Sequence, residues 1–244
     1  HRLMDKLTTS WGDTAFERRN GDAPTLVFLH GTGCDSADWR GVLNHLSSDI
    51  ATLAIDFRGH GESAVPDEDF EFNDLAADVG LTLEILNVER PIIVGHSLGG
   101  MVGIDLLTKY PLAGLVLLEG WTRLSVVMEA YEKGPRLERM HPDRVQEIES
   151  KRDTTLSRFG GDQWRAFWHT VREFDGSAAL ESTDVPVFEV YGTLGAKPGA
   201  QSKLCIPDRP NIRVEWIEGC GHYLPHEMPE HVAQVCQRVH EACR

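Results

Sequence analysis

No apolar run in these 244 residues approaches the ~18 that a membrane-crossing helix needs, so no span is legible in the sequence. Cysteine is sparse: residues 34, 205, 220, 236 and 243 are the five, odd in number, irregular in spacing and without a CxxC pair. That pattern argues against a disulfide framework, dithiol redox work or a cysteine zinc site, and points to a reducing, cytoplasmic setting. The stretch HRLMDKLTTSWGD lacks the apolar core of a secretory leader; its first residue is His1 rather than Met, as expected of a trimmed or tagged chain. Positive charge is the scarcer sign, with 24 Lys and Arg against 38 Asp and Glu. The resulting net charge of −14 opposes binding to nucleic acid or an anionic membrane, both polyanions. Internal repeats and low-complexity tracts are absent as well.

What remains is the ordinary composition of a globular protein, 41% hydrophobic and 25% charged, at a length that buries a core without staples. The charge is unevenly distributed. From Trp121 to Leu180 ten basic residues balance ten acidic ones, so the whole acidic excess lies outside that segment.

Short runs that are apolar on both faces read as buried parallel strands. They are Thr25–Leu29, Ala51–Ile55, Pro91–Val94, Leu115–Leu118, Val185–Val190 and Ile212–Ile217. Ahead of them, Lys6–Trp11 and Thr14–Arg19 read as strands flanking a turn at Gly12-Asp13, and Asn20-Gly21 is a hairpin-type turn signal. Leu75, Val79, Leu83 and Leu86 recur at helical spacing with Asn73 placed to cap the start. Pro229 suits the first turn of a last helix bearing Val232, Val235, Cys236 and Val239. Strands alternating with helices predict an α/β protein with a mostly parallel sheet covered on both faces. The neutral segment breaks the alternation: it is rich in helix formers, groups Trp164, Phe167 and Trp168, and is too long for an ordinary connection. It predicts a helical cap, residues 121–181, inserted over the sheet's carboxyl edge into a core made of 1–120 and 182–244.

Three clusters carry chemistry. Gly95-His96-Ser97-Leu98-Gly99-Gly100 follows an apolar strand and opens a helix, the context of a nucleophile elbow that exposes Ser97 at a helix N-terminus. His30-Gly31-Thr32-Gly33 ends an earlier strand. Acyl transfer needs two preorganised N–H donors for its oxyanion, and in this layout they are the amides of Thr32 and Leu98. Gly219-Cys220-Gly221-His222 follows the last strand, so His222 lies at the edge that presents Ser97 and can serve as its base. His226, four residues on, does not form a helical metal pair with it, because Pro225 intervenes.

The ordered set HGTG, DFRGHGES (56–63), GHSLGG and GHYLPHEMPE resembles the α/β-hydrolase superfamily over essentially the whole chain. The resemblance implies Ser97 as nucleophile, His222 as base, Thr32 and Leu98 as oxyanion donors, and fold-holding roles for Asp56, Arg58 and His60. It implies no metal and no organic cofactor. One departure matters. Relatives usually carry the third triad member after the seventh strand in a G-x-x-D segment, and here that segment reads Gly192-Thr193-Leu194-Gly195. The acid then comes from elsewhere or the triad is broken. Glu119, ending the preceding strand, occupies a position used by some members, including certain lactonases and haloalkane dehalogenases. Asp184 lies at the wrong edge, and Glu218 is expected to point away from His222. An acid introduced at 195 is expected to substitute in part for Glu119.

These readings predict a serine esterase acting on small to medium, largely apolar esters through Ser97, His222 and Glu119. Trp121, Trp164 and Trp168 are expected to line the substrate pocket. A lactonase with the same residues and a weakly catalytic receptor on the same fold are the alternatives. A serine at 97 opposes dehalogenase and epoxide-hydrolase chemistry, which need a carboxylate nucleophile there. Oligomeric state is not legible.

Overall fold

A computed structural model describes residues 4–132 and 140–244; His1 and part of the expected cap, 133–139, lie outside the described residues. The sheet comprises β1 (Asp5–Thr8), β2 (Asp13–Arg19), β3 (Asp22–Leu29), β4 (Ile50–Ile55), β5 (Ile92–His96), β6 (Gly114–Leu118), β7 (Val187–Gly192) and β8 (Ile212–Ile217). Their order across it is β1-β2-β4-β3-β5-β6-β7-β8. β1 and β2 pair antiparallel, as do β2 and β4; every pairing from β4 through β8 is parallel. This is the α/β-hydrolase fold that the motifs implied.

Side-chain alternation divides the core in two. Leu29, Leu53, Ile93 and Leu117 face one layer, which α2 (Phe72–Ile85) and α3 (Leu98–Leu106) cover. Phe28, Ala54, Val94 and Val116 face the other, closed by α1 (Arg40–His45) and α8 (Pro229–Ala242). Full burial of each large apolar side chain contributes roughly 1.5–3 kcal/mol, and burial on both faces is why these strands read as continuous apolar runs.

Three local expectations need correction. Asn20-Gly21 does not join paired strands: β4 lies between β2 and β3, so the turn redirects the chain. Strand β1 ends at Thr8 rather than Trp11; the Trp11 indole instead donates to Asp78 Oδ1 at 3.0 Å. Helix α2 is capped by Glu71, which accepts from the Asp74 amide while its own N–H donates to the Asp74 carboxylate. Asn73 lies inside the helix.

Between β6 and β7 run α4 (Val126–Ala130), α5 (Pro142–Leu156), α6 (Gly161–Glu173) and α7 (Ser177–Ser182). Their apolar side joins the first core layer through Phe167 and Val171, with Phe167 stacked on Phe70 at 4.7 Å. Polar ties fix the same helices to the loops at the strand ends. Lys151 Nζ meets Asp35 Oδ1 at 2.6 Å and Asp38 Oδ2 at 2.8 Å, and Gln163 donates to the Pro66 and Glu68 carbonyls. No helix among the described residues is long and apolar enough to cross a membrane.

Candidate active site

The chain leaves β3 toward β4 on one side and later returns to β5 on the other. The carboxyl ends of β3 and β5 therefore flank the point where strand order reverses, where open α/β sheets place ligands. Both clusters read from sequence meet there: Leu29 pairs with Gly95 across the two strands, so the loop starting at His30 faces the elbow at Ser97. Ser97 has φ 54° and ψ −119°, a conformation that costs an L-residue on the order of 1–3 kcal/mol. It is held by close packing. A Cβ on Gly99 would lie 2.1 Å from the Leu29 carbonyl oxygen, and one on Gly95 would lie 2.4 Å from the Gly99 oxygen. The amides of Thr32 and Leu98 have no protein acceptor among the described residues, which leaves both donors for a ligand.

Glu119 follows β6, the next strand over, and it too has positive φ, at 47°. Its side chain is completely buried. One oxygen, Oε1, meets His222 Nδ1 at 2.9 Å and accepts from the Tyr131 hydroxyl; the other accepts from the Gly192 amide at 2.9 Å. Tyr131 accepts in turn from Trp121 Nε1 at 2.8 Å. Burial, then the neighbouring Glu119, hold the Tyr131 phenol well above its ordinary range, so it stays a donor. An ionised Glu119 thus finds three donors, and hydrogen bonds to a charge are the stronger kind. With Nδ1–H directed at Glu119, the opposite nitrogen of His222 is the one left as acceptor. The Trp121 indole stacks flat on the His222 ring, at 4.8 Å and 6°.

The usual acid position is closed by the same tyrosine. A Cβ on Gly195 would lie 2.6 Å from the Tyr131 ring, so the expectation that an acid at 195 could stand in for Glu119 is withdrawn on steric grounds. Asp184 is fully exposed and faces Arg209, and Glu218 is exposed.

Ser97, His222, Thr32, Trp121 and Trp168 line one cavity of about 600 Å³. Leu124, Val127, Met128 and Ile148 are apolar members of its lining, and Glu149, Arg152 and Arg172 charged ones. Trp164 is not in that lining. It stands one layer back, stacked on Trp168 at 5.8 Å and packed against Phe159 and His60. Cys34 borders the cavity, but burial pushes its thiol far up, so it is no competing nucleophile. His226 faces Asp38 Oδ1 at 2.8 Å and Arg144 at 2.9 Å. Asp56 accepts from the Ser36 and Glu62 amides, and Arg58 pairs with Asp78 at 2.7 Å. His60 donates Nδ1–H to the Arg58 carbonyl at 2.9 Å. Two contributors escaped sequence reading. Tyr131 is a lone tyrosine in a segment without period. His96, the variable residue of the elbow, donates from Nε2 to the His222 carbonyl at 2.8 Å and so ties the nucleophile's strand to the base's loop; burial keeps it neutral.

A model of the alpha/beta hydrolase family matches residues 26–235. The 2-(acetamidomethylene)succinate hydrolase of Mesorhizobium japonicum is 37% identical over 94 residues, which cover 38% of this chain and 34% of that protein. The chain thus matches about a third of that relative's length. Among solved structures, N-acyl homoserine lactonase AidH complexed with N-butanoyl homoserine superposes with a TM-score of 0.82 at 19% identity, covering 99% of this chain and 97% of that one. A malate-bound thermophilic esterase from Thermogutta terrifontis gives a TM-score of 0.75 at 23% identity, covering 98% and 100%.

Proposed function

From the premise that the chain belongs to the alpha/beta hydrolase family, we propose that it is a serine hydrolase cleaving carboxylic esters of small to medium size. The observation that carries this reading is the 2.9 Å bond between His222 Nδ1 and Glu119 Oε1, on a histidine that shares its cavity with Ser97. Ser97 Oγ attacks the ester carbon as His222 Nε2 takes its proton, and the Thr32 and Leu98 amides hold the oxyanion. Collapse of the tetrahedral intermediate breaks the bond to the alkoxy oxygen, which leaves with the proton from His222. Water then attacks the acyl-enzyme by the same route and releases acid and free Ser97. Glu119 stabilises the imidazolium in both halves. A lactone would react through identical steps, its alcohol remaining tethered to the product.

The receptor alternative rested on the missing acid at 195, and the Glu119–His222 pair counts against it. We place the catalytic core in 1–120 and 182–244, with 121–181 as a cap over the site. Five cysteines without a disulfide suit a reducing compartment. The test is covalent. A fluorophosphonate is expected to label Ser97 stoichiometrically, and Ser97→Ala to abolish labelling and lower ester turnover by on the order of 10⁴ or more. Turnover retained in a clean Ser97→Ala preparation overturns the mechanism.

A further inference from the structure

The basic residues of the two long cap helices fall into two groups. Four have partners: Arg144 with His226, Lys151 with Asp35 and Asp38, Arg165 with Asp162, His169 with Glu173. Arg152 on α5 and Arg172 on α6 have no acidic partner among the described residues, and these are the two that line the cavity containing Ser97. In a chain with a net charge of −14, acidic partners are not scarce. On these two helices, the cations with neither a side-chain hydrogen bond nor an ion pair among the described residues are the two that border the cavity, and both remain exposed to solvent.

Their placement is specific. The Arg152 stem lies against the oxyanion loop, where a Cβ on Gly33, the residue after Thr32, would meet its Cγ at 2.5 Å. Arg172 follows Trp168 by four residues on α6, so both project from one face of that helix. Glu149, one turn before Arg152, also borders the cavity, yet no ion pair joins them. The cavity lining therefore carries two guanidinium groups against one carboxylate, together with apolar side chains. Guanidinium forks match a carboxylate in bidentate geometry.

We propose that the substrate is an ester carrying a free carboxylate, held by Arg152 and Arg172 while its carbon chain packs on the apolar residues of the lining. This rests on the serine-hydrolase reading for the bond that is broken, but not for the anion that is bound. The experiment uses esters matched in shape and differing in charge. Monoethyl glutarate against ethyl valerate places the carboxylate on the acyl side; 4-(butanoyloxy)butanoate against butyl butanoate places it on the alcohol side. At low salt the charged member of one pair is expected to show a kcat/KM at least about tenfold higher. That ratio is expected to fall toward one in 1 M NaCl and in Arg152→Met/Arg172→Met, which keeps the apolar stems. Calorimetry on Ser97→Ala reads the same preference as a Kd without turnover. The charged ester is expected to bind about tenfold more weakly once both arginines are replaced.

Neutral esters preferred in both pairs, or a charged-ester preference that survives the double substitution, overturns the proposal. If nothing is hydrolysed and Ser97 resists the fluorophosphonate, the hydrolase reading fails. The calorimetric arm still decides whether the two arginines hold a carboxylate.

Discussion

Glu119 and Glu189 lie on neighbouring strands of one sheet, both without exposure to solvent, and their surroundings are opposite. Glu189 sits within β7 opposite Leu117 of β6, and neither of its oxygens has a partner among the described residues. Burial alone pushes its pKa up to about 8, so it is a neutral acid at physiological pH. Glu119, two residues past Leu117, accepts from Tyr131, His222 and the Gly192 amide. A buried carboxylate needs donors to carry charge, and Glu189 has none among the described residues. A sheet's carboxyl edge supplies those donors because the strand ends, loop amides and inserted side chains converge there, whereas its middle offers only neighbouring strands.

The contrast is broken most severely at Glu119. Glu119→Gln keeps the shape and removes the charge, and kcat is expected to fall on the order of 10²–10⁴, by analogy with the serine-protease Asp→Asn case that serves as the worked example of this effect. Near-wild-type kcat, with circular dichroism showing an intact fold, would place the acid elsewhere. Adding Gly195→Asp to that variant is expected to restore nothing, because Tyr131 fills the space; recovery there would mean that the tyrosine yields.

A smaller effect is expected from Tyr131→Phe, which removes one donor to Glu119 while leaving the ring that packs on Gly195. Losing a hydrogen bond to a charged group costs roughly 1.5 kcal/mol or more, about tenfold in kcat, with KM little moved if Tyr131 acts by positioning the Glu119–His222 pair. Equal loss in KM, or no loss at all, would mark the tyrosine as packing only.

Glu189→Gln sharpens the other half, with turnover expected to stay within about twofold. Its readout is stability against pH. The folded-state value near 8 lies above the ordinary 4.5, so the unfolded chain ionises first and binds fewer protons across that window. This contribution to stability is complete below about pH 4.5, declines as pH rises toward about 8 and is level beyond. Chemical denaturation at pH 5 and pH 8 is expected to show a wild-type decline larger than that of the variant by roughly a few kcal/mol. Identical declines would mean that Glu189 has a partner in solution.

Much of this arrangement was legible because it is local. A strand buried on both faces announces itself as an apolar run, and the residue that ends it is automatically at the edge, which, with the family resemblance, is how Glu119 could be named without any contact information. Ser97 was legible for the same reason, the elbow being contained within six residues. What escaped was held by contacts that leave no spacing in the chain. Tyr131 reaches Glu119 from a segment with no period, and the Gly192 amide has no side chain to read. Arg152 and Arg172 were hidden differently. A neutral segment is a sum over both signs, and the sum does not say that folding sets Arg152 and Arg172 at the cavity. Asn73 was misread as a cap because its type fits, while Glu71 and Asp74 satisfied the helix start between them.

Ser97 and Glu119 end adjacent strands, and both backbones have positive φ, 54° and 47°. A glycine adopts such values freely, whereas each side chain here holds its place at a cost of order 1–3 kcal/mol. Ranked by folding free energy alone, then, a drift toward glycine would be tolerated or favoured at Ser97, whereas at Glu119 it would also strip a buried partner from Tyr131, His222 and the Gly192 amide. If Ser97 is the nucleophile proposed, sequence selection for thermal robustness and selection for turnover pull in opposite directions at that position. A library screened only for heat resistance would then tend to lose the serine while leaving the eight-stranded sheet intact.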